Sequence, residues 1–171
     1  MEISEAKHMA IQKVVSGGQT GVDRAALDVA MELGISCGGW CPRNRSAEDG
    51  RISKLYPLNE TATSDPSTRT ELNVIDSDGT LILTWGEPTG GTLLTLLCAR
   101  HHRKPFLEVN LEAPQEIESI HQWIDSQNIQ ILNIAGPRES HHPGTIYSRA
   151  RKLLIELFQT RGVLLLDFPE E

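Results

Sequence analysis

The chain has 171 residues, enough to bury the core of one ordinary domain, and its composition of 39% hydrophobic and 23% charged residues is globular. Its 16 basic against 23 acidic residues leave a net charge of −7, which opposes the long-range attraction that nucleic-acid binding needs. No apolar run is long enough to cross a bilayer, and residues 1–12, with Glu2, Glu5 and Lys7, lack the apolar centre of a signal peptide, so no nucleic acid and no membrane is expected as a partner and the location expected is cytoplasmic.

A single domain is expected over 1–171, with 1–12 as an N-terminal extension. Residues 13–16 predict a short apolar strand that runs into Gly17-Gly18-Gln19-Thr20-Gly21. Val22, Ala25, Ala26, Val29, Ala30 and Leu33 then recur at helical spacing until Gly34 stops the helix. A second strand is predicted over 35–41, ended by Pro42, and 43–66 has no sustained period and reads as a long excursion. Thr68-Arg69-Thr70-Glu71 fits a capping box that opens a short helix through Ile75. Asp76-Ser77-Asp78-Gly79 turns the chain into a mostly apolar strand over 80–85. That strand meets Gly86-Glu87-Pro88-Thr89-Gly90-Gly91-Thr92 ahead of a helix over 93–101. A strand over 106–109, a helix over 115–126 with Ile117, Ile120 and Ile124 inward, and a strand over 129–135 follow. Gly136-Pro137-Arg138-Glu139 leads to a last helix over about 145–160, and 162–171 reads as an edge strand or a subunit contact.

Strands alternating with helices predict an α/β domain, a mostly parallel sheet with helices on both faces and right-handed crossovers. Ligands of such sheets settle outside the carboxyl ends of the strands, where helix N-termini point free N–H groups outward. Glycine in those turns permits positive φ and lets an anion reach the backbone, and the helix dipole favours negative charge. A small anionic ligand is therefore the expected partner. Its candidate contacts are Gly17, Gly18, Gln19, Thr20 and Gly21 in the first turn, Gly86, Thr89, Gly90, Gly91 and Thr92 in the second, and Gly136 in the third. Arg24, Arg69 and Arg138 are the candidate guanidinium donors, with Arg43, Arg45 and Arg51 in the excursion as weaker ones. Asp23 reads either as a carboxylate favoured by the helix dipole or as a group bonding backbone or metal.

Named motifs exclude several classes. The first turn is not G-x-G-x-x-G and no acidic residue closes the second strand, which disfavours an NAD dehydrogenase; no Gly-Lys-Ser/Thr ends a loop, which disfavours a Walker-type ATPase. Cys37, Cys41 and Cys98 are too few and too irregular for a disulfide framework or a zinc site and read as reduced and structural. His101-His102 and His141-His142 are adjacent pairs whose side chains diverge, so structural or surface roles are expected, with no metal site and no assigned catalytic residue.

Six segments together resemble the molybdenum carrier protein family. They are Ser16-Gly17-Gly18-Gln19-Thr20-Gly21-Val22-Asp23-Arg24, Gly39-Trp40-Cys41-Pro42, Ala47-Glu48-Asp49-Gly50, Arg69-Thr70-Glu71-Leu72-Asn73-Val74, Ser77-Asp78-Gly79-Thr80 and Thr89-Gly90-Gly91-Thr92. The likeness runs from about Lys13 to Phe158 and extends to the Rossmann-like group of YpsA-type and lysine-decarboxylase-like proteins. It implies a Rossmann-like three-layer fold, a homo-oligomer (dimer or tetramer), and binding of molybdenum cofactor or a molybdate-like oxyanion for carriage or storage, with molybdoenzymes as recipients. Members of the wider group hydrolyse cytokinin nucleotides with Gly-Gly-x-Gly-Thr-x-x-Glu, and here Thr95 stands at the glutamate position, so the resemblance points to a binding protein rather than an enzyme. Trp40 and Trp85 are candidates for the apolar wall of a pterin site. Two alternatives stay open: a hydrolase of a nucleotide-derived substrate using Asp23 or Glu71 as base, and a sensor of a nucleotide signal.

Overall fold

The computed structural model describes residues 10–114 and 117–161. The chain begins with β1 (Lys13–Val15), α1 (Val22–Glu32) and β2 (Ser36–Gly38), then passes through four short strands, β3 (Trp40–Cys41), β4 (Ser46–Ala47), β5 (Gly50–Arg51) and β6 (Asn59–Glu60). It continues through α2 (Pro66–Ile75), β7 (Gly79–Thr84), α3 (Gly90–His101), β8 (Phe106–Asn110), α4 (Ile117–Ser126), β9 (Ile131–Ala135) and α5 (Ile146–Thr160).

Five strands form one parallel sheet in the order β2-β1-β9-β7-β8, the Rossmann-like α/β arrangement expected. The last strand in sequence, β9, is the central one: Val14 lies opposite Leu132 and Thr80 opposite Asn133. Successive strand residues face opposite sides of a sheet, and the two sides here differ in chemistry. Val14, Leu81, Leu83, Leu132 and Ile134 join the apolar core built with α1, α4 and α5. The alternate residues Thr80, Thr84 and Asn133 are buried and polar, and Asn133 Nδ2 donates to Thr80 Oγ1 at 3.2 Å. Each fully buried Leu or Ile on the apolar side contributes roughly 1.5–3 kcal/mol to folding.

Helix α1 is short-sided where Ala25, Ala26 and Ala30 are buried, which lets α5 pack closely against it. It ends as Gly34 predicts, with the Ile35 amide returning to the Ala30 carbonyl at 2.8 Å. The second predicted strand is two strands, because Gly39 turns the chain at φ 128, a conformation other residues rarely adopt, and Trp40–Cys41 leaves the sheet to pair with β6. The capping box at Thr68 and Glu71 is not used. Asp65 caps α2 instead, accepting from the Ser67 amide at 3.0 Å, and Pro66 occupies the first helical position; an Asp-Pro pair outcompetes a box three residues later. Helix α3 starts at Gly90, three residues before the predicted start. Residues 1–9 of the predicted extension, the predicted helix start at Gln115 and the predicted edge segment 162–171 lie outside the described residues.

The excursion between β2 and α2 is organised around a cation. Arg45 is buried and donates to the carbonyls of Ile52, Leu58, Ser53 and Tyr56 at 2.7–3.1 Å. Ile52 and Leu58 meet Leu27 of α1 in a second, smaller apolar cluster. Asp28 of α1 ties this unit to the last helix by accepting from both Tyr56 Oη (2.6 Å) and Tyr147 Oη (2.5 Å). Burial first, and then the Asp28 bond, push the Tyr147 phenol up to about 12 and that of Tyr56 upward as well. Among the described residues no helix is long and apolar enough to cross a membrane.

Hydrogen bonds to a charged group contribute about 1.5–3 kcal/mol each when both partners are held, so Asp28→Ala, which removes two, is expected to lower stability by about 3 kcal/mol in urea denaturation. A loss under about 0.5 kcal/mol would mean that the two phenols find other acceptors.

Candidate functional site

Because β1, β9 and β7 are neighbours in the sheet, the turns that follow them leave its carboxyl edge side by side. They surround a cleft of about 370 Å³. Gly17, Gln19 and Asp23 line it from the first turn and α1, Trp85 and Glu87 to Thr89 from the turn before α3, Gly90, Gly91 and Thr92 from the first turn of α3, and Gly136 to Arg138, Ser140 and His141 from the turn after β9. Its floor is the polar side of the sheet, through Thr84 and Asn133, and one wall is α2, through Arg69, Thr70 and Asn73.

Two buried charges meet at the first turn. Asp23 is 7% exposed and Arg69 9%. A Cβ on Gly17 would lie 2.8 Å from Arg69 Nη1 and 2.9 Å from Asp23 Oδ2, so only glycine threads between them. Arg69 Nη1 donates to the Gly17 carbonyl at 2.7 Å, and its other N–H groups have no acceptor among the described residues. Asp23 Oδ2 accepts from the Gln19 amide at 3.2 Å. Burial nevertheless dominates and raises the Asp23 pKa above its ordinary value, with Arg69 and the Gln19 amide opposing.

Opposite charge meets an open helix end on the same cleft. Thr89 is the N-cap of α3 and makes no side-chain cap bond. A Cβ added at Gly90 or Gly91 would touch nothing within 4 Å, and the two amides, like the Thr92 hydroxyl, have no partner among the described residues. Free N–H groups at the positive end of a twelve-residue helix are suited to hold an anion's oxygens. The N-terminus of α1 is closed by comparison. The Val22 amide donates to the Pro137 carbonyl at 3.2 Å, and Gly21, at φ 77, passes so near the last turn that a Cβ would sit 2.5 Å from Pro137 O.

The rim is polar and held by cross-links. Glu48, at the tip of the β4–β5 hairpin, accepts from the Thr20 hydroxyl, from the Ser140 amide at 3.1 Å and from the Ser140 hydroxyl at 2.6 Å, with Arg138 Nη1 at 3.9 Å. Although burial opposes it, these donors hold the Glu48 carboxyl below its usual value. Trp85 stacks on His142 with ring centroids 4.6 Å apart, and its carbonyl lies 2.9 Å from His141 Nε2.

Of the residues singled out from the sequence, Gly17, Gln19, Arg69, Thr89, Gly90, Gly91, Thr92, Gly136 and Arg138 line the cleft. Gly18, Thr20, Gly21, Arg24 and Gly86 do not. Gly18 abuts Leu58 and Ile52 of the excursion, and Arg24 is taken by the Gly18 carbonyl and by Asp49, both at 3.0 Å. The Gly86 amide donates to Glu112 Oε1 at 2.5 Å. Glu71 pairs with His102 at 2.9 Å, and Trp40 is held by Asn73 and Asp76; neither Glu71 nor Trp40 lines the cleft. Sequence reasoning missed Thr84, Asn133, Asn73 and Ser140. The signal for the first two was available, since each is a polar residue at an alternate position of a mostly apolar strand. Three free cysteines are present, and burial pushes their thiols up.

A family model described as the circularly permutated YpsA SLOG family matches residues 14–158. The chain is also similar to a crystal structure from Syntrophus aciditrophicus SB described as a "Putative molybdenum carrier protein". Identity is 49% and the TM-score 0.83, over 87% of this chain and 95% of that one. No curated protein matches the chain.

A raised Asp23 pKa means that the folded state holds this proton more tightly than the unfolded chain does. Its contribution is fully present below 3.8, the ordinary value, and is lost as the pH rises through the folded value. Asp23→Asn is accordingly expected to be more stable than the parent at neutral pH, with the advantage vanishing in acid below that value. Denaturant titrations at a series of pH values check this, and a pH-independent difference would contradict it.

Proposed function

The chain belongs to the circularly permutated YpsA SLOG family, and from that premise we propose that it binds a small anionic ligand in this cleft and carries or stores it. The proposed ligand is molybdenum cofactor or a molybdate-like oxyanion, the reading favoured by the likeness to a protein named as a molybdenum carrier. The observation that carries it is the open N-terminus of α3, with unpartnered Gly90 and Gly91 amides, on the same cleft as a nearly buried guanidinium with donors to spare.

Molybdate is a tetrahedral dianion and the cofactor carries a phosphate, so both offer oxygens to those amides, to the Thr92 hydroxyl and to Arg69, with Arg138 at the rim. Such donors act at contact distance, so the net charge of −7 does not oppose capture. Among the described residues no three His, Cys, Asp or Glu side chains gather as metal ligands, and the cargo is held through its oxygens in this reading. Thr95, where the wider group has glutamate, spends its hydroxyl on the Gly91 carbonyl at 2.8 Å. The reading includes a cytoplasmic single-domain protein that forms a dimer or tetramer and hands its cargo to molybdoenzymes. Leu93 and Leu97, 41% and 50% exposed one turn apart on α3, support the oligomer.

One observation favours a second reading. Asp23 is buried on the cleft with a raised proton affinity, the condition of an acid–base group, which suits a hydrolase of a nucleotide-derived substrate. Turnover of such a substrate that Asp23→Asn abolishes would select it, and selective nucleotide binding without turnover would select a sensor.

The test is thermal unfolding with molybdate, tungstate, phosphate, AMP and NAD, because a ligand of the folded state raises stability by about 2.7 kcal/mol at a hundred times its Kd. Stabilisation by molybdate and tungstate is expected, and Gly91→Asp, which places a carboxylate among the amides, should abolish it while the fold persists. Retained stabilisation in that variant would move the site elsewhere.

A further inference from the structure

The Glu48 carboxylate occupies a set of donors that an external anion would use equally well. Two hydroxyls, one amide and a nearby guanidinium converge on it, the arrangement of a charge-assisted oxyanion site. The anion filling that site comes from the tip of a two-residue-stranded hairpin, and Arg138 and Ser140 on its other side line the ligand cleft. Gln19, also on the cleft, accepts from the Glu48 amide at 2.9 Å and so places the tip against the first turn. On either side of Glu48 the hairpin has its own holds, Ala47 packing on the Leu27 cluster and both Asp49 oxygens bonded to Arg24 at 3.0 and 3.2 Å, whereas Gly50 has open space around it.

We propose that Thr20, Ser140 and Arg138 form a second oxyanion subsite, that Glu48 fills it when the cleft is empty, and that a phosphate-type oxyanion of the incoming ligand takes its place and frees the hairpin tip. This rests on the reading of the cleft as an anion site. The exchange keeps one negative group beside Arg138 throughout, so a ligand dianion replaces a monoanion without stranding a charge, whereas a neutral ligand has nothing with which to displace Glu48. Glu48 thereby sets the ligand class that the rim admits. The root of the excursion stays fixed by the Arg45 clasp, which confines the movement to the tip.

The experiment combines calorimetric titration with inorganic phosphate and hydrogen exchange over residues 46–51, on the parent chain, Glu48→Gln, Glu48→Ala and Gly91→Asp. A subsite open only part of the time weakens apparent affinity by the open fraction, so both Glu48 variants should bind phosphate about tenfold more tightly than the parent. Phosphate should speed exchange at the tip of the parent, and in the variants the tip should exchange fast with or without it. If the parent binds phosphate, Gly91→Asp abolishes that binding, and the Glu48 variants bind no better or the tip of the parent is unchanged or slowed, then Glu48 is a fixed clamp: this proposal falls and the cleft reading stands. If neither the parent nor the variants bind phosphate, this proposal falls, and the cleft reading is decided separately by stabilisation with molybdate and tungstate.

Discussion

A central strand of a parallel sheet needs a partner on each side, and β9 finds β1 on one and β7 on the other. Without it the sheet separates into β2-β1 and β7-β8, and the turns that leave β1 and β7 have no common edge. The bond from Ser16 Oγ to the Ile134 carbonyl, 2.8 Å across 118 positions of sequence, sits where this joining happens, immediately before the first glycine turn. Beyond it Gly136 packs so closely on Leu83 O and Val22 that no side chain fits, which sets the last turn between the other two. The cleft is thus a product of strand order before it is a product of any side chain.

That order places polar groups where a sheet would ordinarily bury apolar ones. On the side of α1, α4 and α5 the packing is aliphatic; on the other, Thr80, Thr84, Asn133, Thr92 and Thr95 are buried with Arg69, which Asp23 approaches from the first turn of α1 at the sheet edge. Taking charges from water is costly even when they are arranged near one another, so this half of the molecule carries a cost in stability that the aliphatic half does not. Two helices with similar glycine-rich entries also behave differently. The entry of α1 is sealed by Pro137 and contributes rigidity, while that of α3 keeps its amides free.

The alternation of elements was legible because the helical and strand periods are local, as at Ala25, Ala26 and Val29 or at Gly34, which stops α1. The place of β9 was not, because no local pattern encodes which edge a strand joins. The excursion looked structureless for a related reason: its order comes from Arg45 reaching carbonyls up to 13 residues away, and arginine in a loop carries no such mark in sequence. The α2 start was misread although its signal was local, since Asp65 and Pro66 stood three positions before the capping box. Within the site, glycine is one letter with two uses. Gly90 and Gly91 open onto the cleft, but Gly18 serves packing against Leu58, and the Gly86 amide is spent on Glu112. Only the folded chain separates a glycine that opens onto a cleft from one that serves close packing.

The polar floor under the cleft has a thermodynamic consequence. A ligand bound there as proposed meets polar groups at the base, Thr84 and Asn133, and apolar ones elsewhere in the lining, Trp85, Pro88 and Pro137, so its capture would both replace contacts with solvent by contacts to ligand oxygens and remove apolar surface from water. Association of the proposed anion would accordingly combine a favourable enthalpy from the oxygen contacts with the negative heat-capacity change of the apolar surface it covers.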